Sequence, residues 1–531
     1  MPQGYRYDSP YLTARRPVLA ANMVATSQPL AAQAGLRMLL KGGNAVDAAL
    51  AAAITLTVVE PTGNGIGSDA FAIVWDGSVV HGLNASGRSP AGWTRERFAG
   101  LSTMPERGWE SVTVPGAVSS WVALSERFGA LPFAELFGPA IHYAEAGFLV
   151  SPHIADLWAG GAAILAEQPG FAECFMPEGR PARAGELFRN PAIARSLRLI
   201  AETRGDAFYH GVLADQIAAF ARQHGAALNA ADLANHSADW CGTVSSRIGN
   251  VETHEIPPNG QGIATLIALG ILAETEIAEL APDSLMAWHL QIEAMKLAFA
   301  DVDRHVADPA AMRVTAARLL DPDYLKARAR LIERGAAGKP ATGVPQHGGT
   351  VYVSTADASG MMVSFIQSNF SGFGSGVVVP GTGIHLQNRG IGFSLEPGHV
   401  NEVGPDKRPF HTIIPGFACR DGHPVMSFGV MGGQMQAQGH VQMVLRTQLF
   451  GQNPQAAIDA PRWRVGNGRA VALEWSVPDE LVEGLAALGH DITREAPDQS
   501  FGFGGAQAIC RLEHGYVAGS DARKDGLAVG F

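Results

Sequence analysis

The residues that most restrict the fold of this chain form two runs of alternating apolar and polar character, separated by a short turn. They lie within residues 347–376, which read HGGTVYVSTADASGMMVSFIQSNFSGFGSG. The Ala-Ser-Gly sequence at 358–360 supplies the turn, so the pattern predicts a β-hairpin. Thr350 opens the first strand directly behind a Gly-Gly pair. This threonine is either an ordinary strand residue or a nucleophile that is exposed when the chain is cut before it.

The N-terminal part of the chain has helical periodicity. Ser27 is predicted to cap a first helix, PLAAQAGLRMLL, which ends at a Gly-Gly pair. Asn44 is predicted to cap an alanine-rich second helix that ends at Glu60, because a proline follows. A strand is predicted next over residues 70–75, which read AFAIVW.

The pattern changes character near the hairpin. Helices are predicted to dominate from about 115 to 235 and again over 284–306, whereas residues 310–346 read as a surface helix followed by a linker. Short strands with glycine-rich turns follow Thr350, with further helices near 436–450 and 478–488. The sequence therefore predicts a helix-rich part, 1–349, that ends in a mobile linker, and a strand-rich part, 350–531.

Composition excludes several classes of protein. The chain has 531 residues, 47% hydrophobic and 17% charged, which is typical of a well-buried globular enzyme. Its formal net charge of −11 and the lack of a Lys/Arg run argue against a nucleic-acid partner. The four cysteines are widely spaced, so we expect neither a metal site nor a disulfide framework. No signal-like or membrane-spanning stretch is apparent, and we expect a cytoplasmic protein.

Several longer stretches occur in a fixed order. They include MVATSQPLAAQAGLRMLLKGGNAVDAALAAAITLTVVEP, SVTVPGAVSSW, IPPNGQG, EAMKLAFADVDRHVADP, GPDKRPFHTIIP and GSDARKDGLAVGF. By these stretches the chain resembles the γ-glutamyltransferase family of N-terminal-nucleophile (Ntn) hydrolases from about Met23 onward. The resemblance implies a four-layer αββα sandwich made as an inactive precursor. Such a precursor cuts itself into a large subunit, here 1–349, and a small subunit, here 350–531, which stay together as one globular unit.

The resemblance implies that Thr350 is the first residue of the small subunit and that the Gly349–Thr350 bond is the one that breaks. A threonine hydroxyl is a weak nucleophile until a base lies beside it, and the freed amine of the same residue is such a base. The unperturbed pKa of an α-amine is close to neutral, so it accepts a proton at physiological pH. Gly349 lacks a β-carbon, which allows the backbone to bend for attack on its carbonyl.

The resemblance also assigns the groups that assist the nucleophile. Gly432 and Gly433, in GVMGGQMQ, are expected to form the oxyanion hole through their backbone N–H groups. Ser368, on the second strand of the hairpin, is expected to orient the catalytic threonine. The residues alone leave open a plain strand-to-helix turn for the glycines and a structural role for the serine.

The predicted substrate pocket departs from the family pattern where a glutamyl α-carboxylate would bind. The position of the family's arginine is held by Ser86 in NASGRSPAG, and Arg88, two residues later, is the candidate substitute. The family's paired serines are replaced by His411 and Thr412 in RPFHTIIP. The register of Arg88 is therefore an open question.

The pocket also departs where the α-amine would bind. Gly392 holds the place of the expected aspartate in HLQNRGIGF, and Arg389 stands where glutamine is expected. Phe370 replaces an expected asparagine, although Asn369 is adjacent. An α-ammonium here would lack a carboxylate partner, which costs on the order of 1–3 kcal/mol. Arg389 is either a surface turn residue or an inward-facing group that favours a carboxylate-bearing substrate without an α-amine.

These observations predict an autoprocessing threonine hydrolase that cleaves γ-glutamyl or related amide bonds, as in glutathione hydrolysis, through a threonyl-acyl intermediate. The alternative enzyme is an amidase for carboxylate-bearing amides, similar to the oxamate amidohydrolases and cephalosporin acylases related to the family. The alternative of another class is a non-catalytic binding protein with the same fold. We expect a small-molecule substrate, no cofactor, no metal and no membrane partner.

Overall fold

Two antiparallel sheets organise the residues that the computed structural model describes, which are 15–339, 349–496 and 502–531. Sheet I contains, in spatial order, β21 (Leu527–Gly530), β2 (Met23–Thr26), β10 (Gly349–Ala356), β11 (Met362–Phe370), β3 (Asp69–Trp75), β4 (Val80–Asn84) and β7 (Asp239–Trp240). Sheet II contains β1 (Val18–Ala20), β20 (Tyr516–Ser520), β19 (Ala506–Arg511), β15 (His423–Val430), β14 (Gly416–Arg420), β9 (Val251–Glu255) and β8 (Val244–Ile248).

Smaller sheets and many helices surround this pair. The remaining strands are β5 (Phe148–Leu149) with β6 (Leu187–Phe188), β12 (Val378–Val379) with β13 (Ile384–His385), and β16 (Trp463–Val465) with β17 (Ala470–Glu474) and β18 (Asp491–Glu495). The helices before the hairpin are α1 (Pro29–Leu40), α2 (Ala45–Val59), α3 (Ala117–Phe128), α4 (Gly138–Ala146), α5 (Pro152–Leu165), α6 (Phe171–Phe175), α7 (Pro191–Thr203), α8 (Asp206–Tyr209), α9 (Val212–Gln223), α10 (Ala230–Ala234), α11 (Gly262–Ala273), α12 (Leu285–His305), α13 (Ala316–Leu319) and α14 (Pro322–Ala329). Those after it are α15 (Met435–Val444), α16 (Pro454–Asp459) and α17 (Asp479–Ala487).

Apolar side chains pack the two sheets against each other and helices against their outer faces. Between the sheets, Phe71 and Tyr352 of sheet I share a buried cluster with Phe417 and Ile509 of sheet II. A second cluster joins α2 and α3 to sheet I, and a third joins α11, α12 and α15 to sheet II. The hydrophobic burial that drives folding is therefore divided among three clusters, one between the two sheets and one on the outer face of each sheet.

The predicted hairpin is confirmed. β10 pairs antiparallel with β11, and the connecting turn covers residues 357–361. β10 also pairs with β2, from the other half of the chain. Because both large sheets combine strands from before and after residue 349, a cut there would leave the two parts joined by strand pairing and by the shared core.

The helix predictions are confirmed in position, with one correction at a cap. Asn44 caps α2 in a capping box with Asp47. The first helix is capped by Gln28 rather than by Ser27. The hydroxyl of Ser27 donates instead to the buried carboxylate of Glu60, at 2.5 Å, so it is not available to the helix.

The segment predicted to lead to the cut is only partly described. It contains the short helices α13 and α14, in agreement with the predicted surface helix. Residues 340–346 of the predicted linker lie outside the described residues, as do 347 and 348. Among the helices of the described ranges, none combines the length and apolar character needed to cross a bilayer.

Replacement of the α2 cap tests the fold locally. Asn44→Ala removes the acceptor for the N–H groups of Val46 and Asp47 and is expected to lower the free energy of unfolding by about 1 kcal/mol. Urea denaturation followed by circular dichroism measures this loss. Asn229→Ala removes the same type of cap from the short, peripheral α10 and should cost less. Equal losses in both variants would contradict the structural importance of α2.

Candidate active site

The side chain of Thr350 lies against the peptide bond that precedes it. Its hydroxyl is 2.8 Å from the carbonyl oxygen of Gly349 and 3.2 Å from the hydroxyl of Ser368. Thr350 is buried, and a β-carbon at position 349 would approach the carbonyl oxygen of Thr62 to 3.2 Å. The site therefore brings the predicted nucleophile to the predicted scissile carbonyl, with a glycine where space is limited.

Ser368 is held in place by the backbone and faces the same carbonyl. Its hydroxyl donates to the Gly349 carbonyl oxygen at 2.7 Å and accepts from the N–H of Phe370 at 2.8 Å. Phe370 has a φ of +78°, an uncommon conformation for a bulky residue. This conformation ends β11 and aligns the Phe370 amide with Ser368. The structure thus brings together Thr350 and Ser368, as the sequence predicted.

The predicted oxyanion glycines form a turn at the start of α15, which we call the glycine turn (Met431–Gln434). Gly432 and Gly433 have φ values of +114° and +62°, which favour glycine. Both are buried, and their N–H groups donate no hydrogen bond to any other described residue. Buried N–H groups are normally paired, so these two are available to an oxygen that carries negative charge. The amino-terminal end of α15 adds to this preference for negative charge.

Gln436 connects the glycine turn to the nucleophile, a role that the sequence analysis missed. Its side-chain nitrogen lies 3.5 Å from the hydroxyl of Thr350, and its side-chain oxygen accepts from the N–H of Ile414 at 3.1 Å. The motif GVMGGQMQ contained the only signal, because Gln436 lies three residues after Gly433 at the start of a helix.

A cavity of about 800 Å³ lies beside these groups. Phe370, Thr412 and Gln434 line it on the side of the site, while Phe299 of α12 and Phe410 contribute apolar walls. Its acidic members are Glu106, Asp303 and Glu396, which are exposed to solvent. The cavity is therefore apolar in its walls and acidic at its rim.

Among the described residues that line this cavity, Arg389 is the one arginine or lysine. Its side chain is only 2% exposed, its Nη1 donates to the hydroxyl of Thr412 at 2.8 Å, and its guanidinium carbon lies 4.8 Å from the centre of the Phe370 ring. Nε and Nη2 have no hydrogen-bond partner among the described residues. Burial lowers the pKa of Arg389 to about 9, which still leaves it charged at neutral pH. The inward-facing alternative for Arg389 is the one that the structure supports.

His411 lies behind the cavity wall rather than in it. Its Nε2 is 3.0 Å from Asp69, and its Nδ1 accepts from the N–H of Ile413 at 3.4 Å, so the ring is neutral with its proton directed to Asp69. Burial, together with the positive charges of Arg389 and Arg408, holds the pKa of His411 well below its usual value. Burial raises the pKa of Asp69 to about 7. Sequence reasoning did not single out Asp69.

Three other predicted positions lie away from the cavity lining. Arg88 is 40% exposed at its side chain and pairs with Asp308 at 3.2 Å. Ser86 is buried and donates to the side chain of Asn84. Asn369 accepts from the hydroxyl of Ser68 at 2.7 Å, while its buried Nδ2 has no hydrogen-bond partner within the described ranges. Of these three residues, Asn369 lies on β11, which pairs with the strand that contains Thr350.

One cluster in the described ranges has the residue types of a metal site. His289, Glu293 and His490 place their ligand atoms within 4.8 Å of one another. Both oxygens of Glu293 already accept hydrogen bonds, one from Lys296 at 2.6 Å and one from the N–H of Gly338 at 3.1 Å. The Lys296 ammonium therefore occupies the position of a cation beside Glu293, and the cluster anchors the segment that leads to residue 339.

The whole chain is similar to a set of known hydrolases. A model of the family described as Gamma-glutamyltranspeptidase matches residues 31–531. The glutathione hydrolase-like YwrD proenzyme of Bacillus subtilis is 38% identical over 96% of this chain and 98% of its own length. The oxamate amidohydrolase proenzyme of Klebsiella pneumoniae is 37% identical, with the same two coverages of 96% and 98%. The crystal structure of a cephalosporin acylase from Bacillus halodurans has 46% identity and a TM-score of 0.94, covering 100% of this chain and 99% of its own.

Ser368 is expected to assist cleavage of the chain. Ser368→Ala removes one donor from the Gly349 carbonyl and should slow cleavage by on the order of 10²-fold, measured as loss of the uncut band on denaturing gels. Thr350→Ala should remain uncut. Ser364→Ala is the matched control, because Ser364 lies on the same strand and bonds to Tyr352 instead. Cleavage of Thr350→Ala, or equal slowing in both serine variants, would contradict these assignments.

Proposed function

This chain belongs to the gamma-glutamyltranspeptidase family and is a hydrolase of that family, and we propose that it cuts itself before Thr350 and then hydrolyses amides whose acyl group ends in a carboxylate. The observation that carries the substrate class is Arg389, which lines the cavity and whose guanidinium has two buried nitrogens without a hydrogen-bond partner among the described residues. The proenzyme names of the relatives support self-cleavage.

Self-cleavage begins with attack of the Thr350 hydroxyl oxygen on the carbonyl carbon of Gly349. Negative charge develops on the carbonyl oxygen, where the hydroxyl of Ser368 already donates. The new C–O bond forms, the C–N bond of the peptide breaks, and the proton that the Thr350 hydroxyl loses passes to the leaving nitrogen. Water then hydrolyses the resulting ester, which releases a carboxylate on Gly349 and leaves Thr350 with a free amine and a free hydroxyl.

Substrate hydrolysis reuses the same atoms. The free amine of Thr350 accepts the hydroxyl proton while the oxygen attacks the substrate's amide carbon. The N–H groups of Gly432 and Gly433 receive the charge that develops on the substrate's oxygen. The amide nitrogen leaves with the proton as a free amine, and water hydrolyses the threonyl ester to release the acid. Gln436 lies beside this hydroxyl in the uncut chain.

The free face of Arg389 suits a carboxylate. Nε and Nη2 lie on one edge of the guanidinium plane, so together they present two parallel donors to the two oxygens of a carboxylate. Because Nη1 is bound to Thr412, the plane cannot turn freely. A buried guanidinium without a counter-charge in contact is costly, and a bound acid removes that cost.

The relatives support two candidate substrates. The oxamate amidohydrolase favours an acid without an α-amine, in agreement with Gly392 at the position of the expected aspartate. The glutathione hydrolase-like relative favours γ-glutamyl amides. We rank the simple acid first, because the buried carboxylate of Asp69 is already engaged and does not serve as the partner of an α-amine. It accepts hydrogen bonds from the N–H groups of Gly87 and Gly116 and pairs with His411.

We further propose the four-layer αββα arrangement typical of Ntn hydrolases, because helices pack on the outer face of each sheet. In this proposal the cut chain remains one unit, with a large subunit of residues 1–349 and a small subunit of residues 350–531. A cytoplasmic location remains a prediction.

Three p-nitroanilides test the substrate class. Glutaryl-p-nitroanilide carries the acid alone, γ-glutamyl-p-nitroanilide carries the acid with an α-amine, and pentanoyl-p-nitroanilide carries neither. The wild type should prefer the glutaryl compound, measured as kcat/KM. Arg389→Met should lower the glutaryl-to-pentanoyl ratio by about 10- to 100-fold, since a charge-assisted bidentate pair is lost.

Arg88→Met is the matched arginine control for this measurement. Arg88 pairs with Asp308 outside the cavity, so its replacement should leave the glutaryl-to-pentanoyl ratio unchanged. If the ratio collapsed in Arg88→Met and not in Arg389→Met, Arg88 rather than Arg389 would bind the acid, and the proposed assignment would be wrong. A wild type that hydrolyses only the γ-glutamyl compound would contradict the proposed substrate class.

A further inference from the structure

One buried side chain joins the glycine turn to the segment that holds Arg389. The amide nitrogen of Gln261 donates to the carbonyl oxygen of Gly433 at 2.9 Å and to that of Thr412 at 2.5 Å. The backbone N–H of Gln261 donates to the carbonyl oxygen of His411 at 2.9 Å. Gln261 is fully buried, so no solvent competes for these bonds.

The two ends of this bridge are the two parts of the proposed site that contact substrate. Gly433 belongs to the glycine turn, which receives charge on the reacting oxygen. Thr412 accepts the hydrogen bond from Nη1 of Arg389, at 2.8 Å, and so fixes the position of the guanidinium. Gln261 itself does not line the cavity, so it acts through these two neighbours.

The glycine turn needs an external restraint of this kind. Gly432 and Gly433 both have positive φ, and glycines lose more conformational freedom than other residues when they are fixed. Neither has a side chain that could pack against a neighbour. Because catalytic groups must be held to within a fraction of an ångström, the hydrogen bond from Gln261 adds a restraint from outside the turn to the Gly433 carbonyl, which also accepts from the N–H of Gln436 at 3.2 Å.

We propose that Gln261 is a positioning residue that sets the distance between the glycine turn and Arg389, and thereby the length of the acyl group that the enzyme prefers. This inference rests on the proposed function, in which the reacting carbonyl lies at the glycine turn and the far carboxylate at Arg389. The acyl chain spans the gap between them. Loosening the bridge should therefore broaden the accepted chain length as well as slow the reaction.

A series of dicarboxylic p-nitroanilides measures this preference. Malonyl, succinyl, glutaryl and adipyl compounds differ by one methylene each, and kcat and KM are determined separately for each one. Gln261→Met keeps the approximate volume and removes both donors. Gln261→Glu keeps the shape and, because burial favours the protonated acid, retains one donor. Denaturing gels confirm that each variant has cut itself and is therefore folded.

The wild type should prefer one chain length clearly over its neighbours. In Gln261→Met, kcat for the preferred compound should fall by on the order of 10²-fold, and the preference over the next length by about tenfold. Gln261→Glu should lie between the wild type and Gln261→Met. This order follows from the number of side-chain donors at position 261, which is two in the wild type, one in Gln261→Glu and none in Gln261→Met.

Gln442→Met is the matched control. The amide nitrogen of Gln442 also donates to two backbone carbonyls, of Gln438 and Trp463, but these lie outside the proposed site. Its replacement should leave the chain-length preference unchanged.

Three results would overturn the proposal. One is an unchanged chain-length profile in Gln261→Met, or in Gln261→Glu if the methionine variant does not fold. Another is a uniform loss of kcat/KM over all four compounds, as expected of a purely structural glutamine. A wild type that hydrolyses none of the four overturns the proposed function itself, and the inference with it.

Discussion

The contact between the Thr350 hydroxyl and the carbonyl of the preceding glycine is the constraint on which the site depends. It exists because Thr350 lies near the start of β10, an interior strand of sheet I that pairs with β2 on one side and β11 on the other. Gly349 and Val351 pair with β11, so the backbone is held on either side of Thr350, which itself lies at an irregularity in that register, while β2 pairs with β10 from Val353 onward. Ser368, on β11, donates a hydrogen bond to the same carbonyl. A rigid sheet thus holds a reactive arrangement.

The surrounding groups come from distant parts of the sequence. The glycine turn follows β15 of sheet II, Arg389 follows the hairpin, and Gln261 immediately precedes α11. Face-to-face packing of the sheets brings these segments together, so that Gln261 donates to Gly433 and Thr412, and Arg389 donates to Thr412. In the proposed mechanism, cleavage changes the chemistry at Thr350 without requiring the sheets to separate, because each sheet contains strands from both parts of the chain.

Local sequence patterns predicted the hairpin, the alanine-rich helix and its Asn44 cap, because these depend on neighbouring residues. The cap of the first helix was placed one residue early, since Ser27 bonds to Glu60, a long-range contact that no local pattern contains. The same limit applies to the site. Motif resemblance predicted Thr350, Ser368 and the glycine turn as site residues, whereas Gln261 and Asp69 are defined by contacts between segments far apart in sequence.

The central claim is that Thr350 becomes the nucleophile when its own nitrogen is freed. Intact-mass spectrometry of a preparation with full amide-hydrolysing activity tests it most directly. The account predicts two polypeptides, one ending at Gly349 and the other beginning at Thr350, with activity that rises in proportion to the cut fraction. A single unbroken polypeptide with full activity would contradict it.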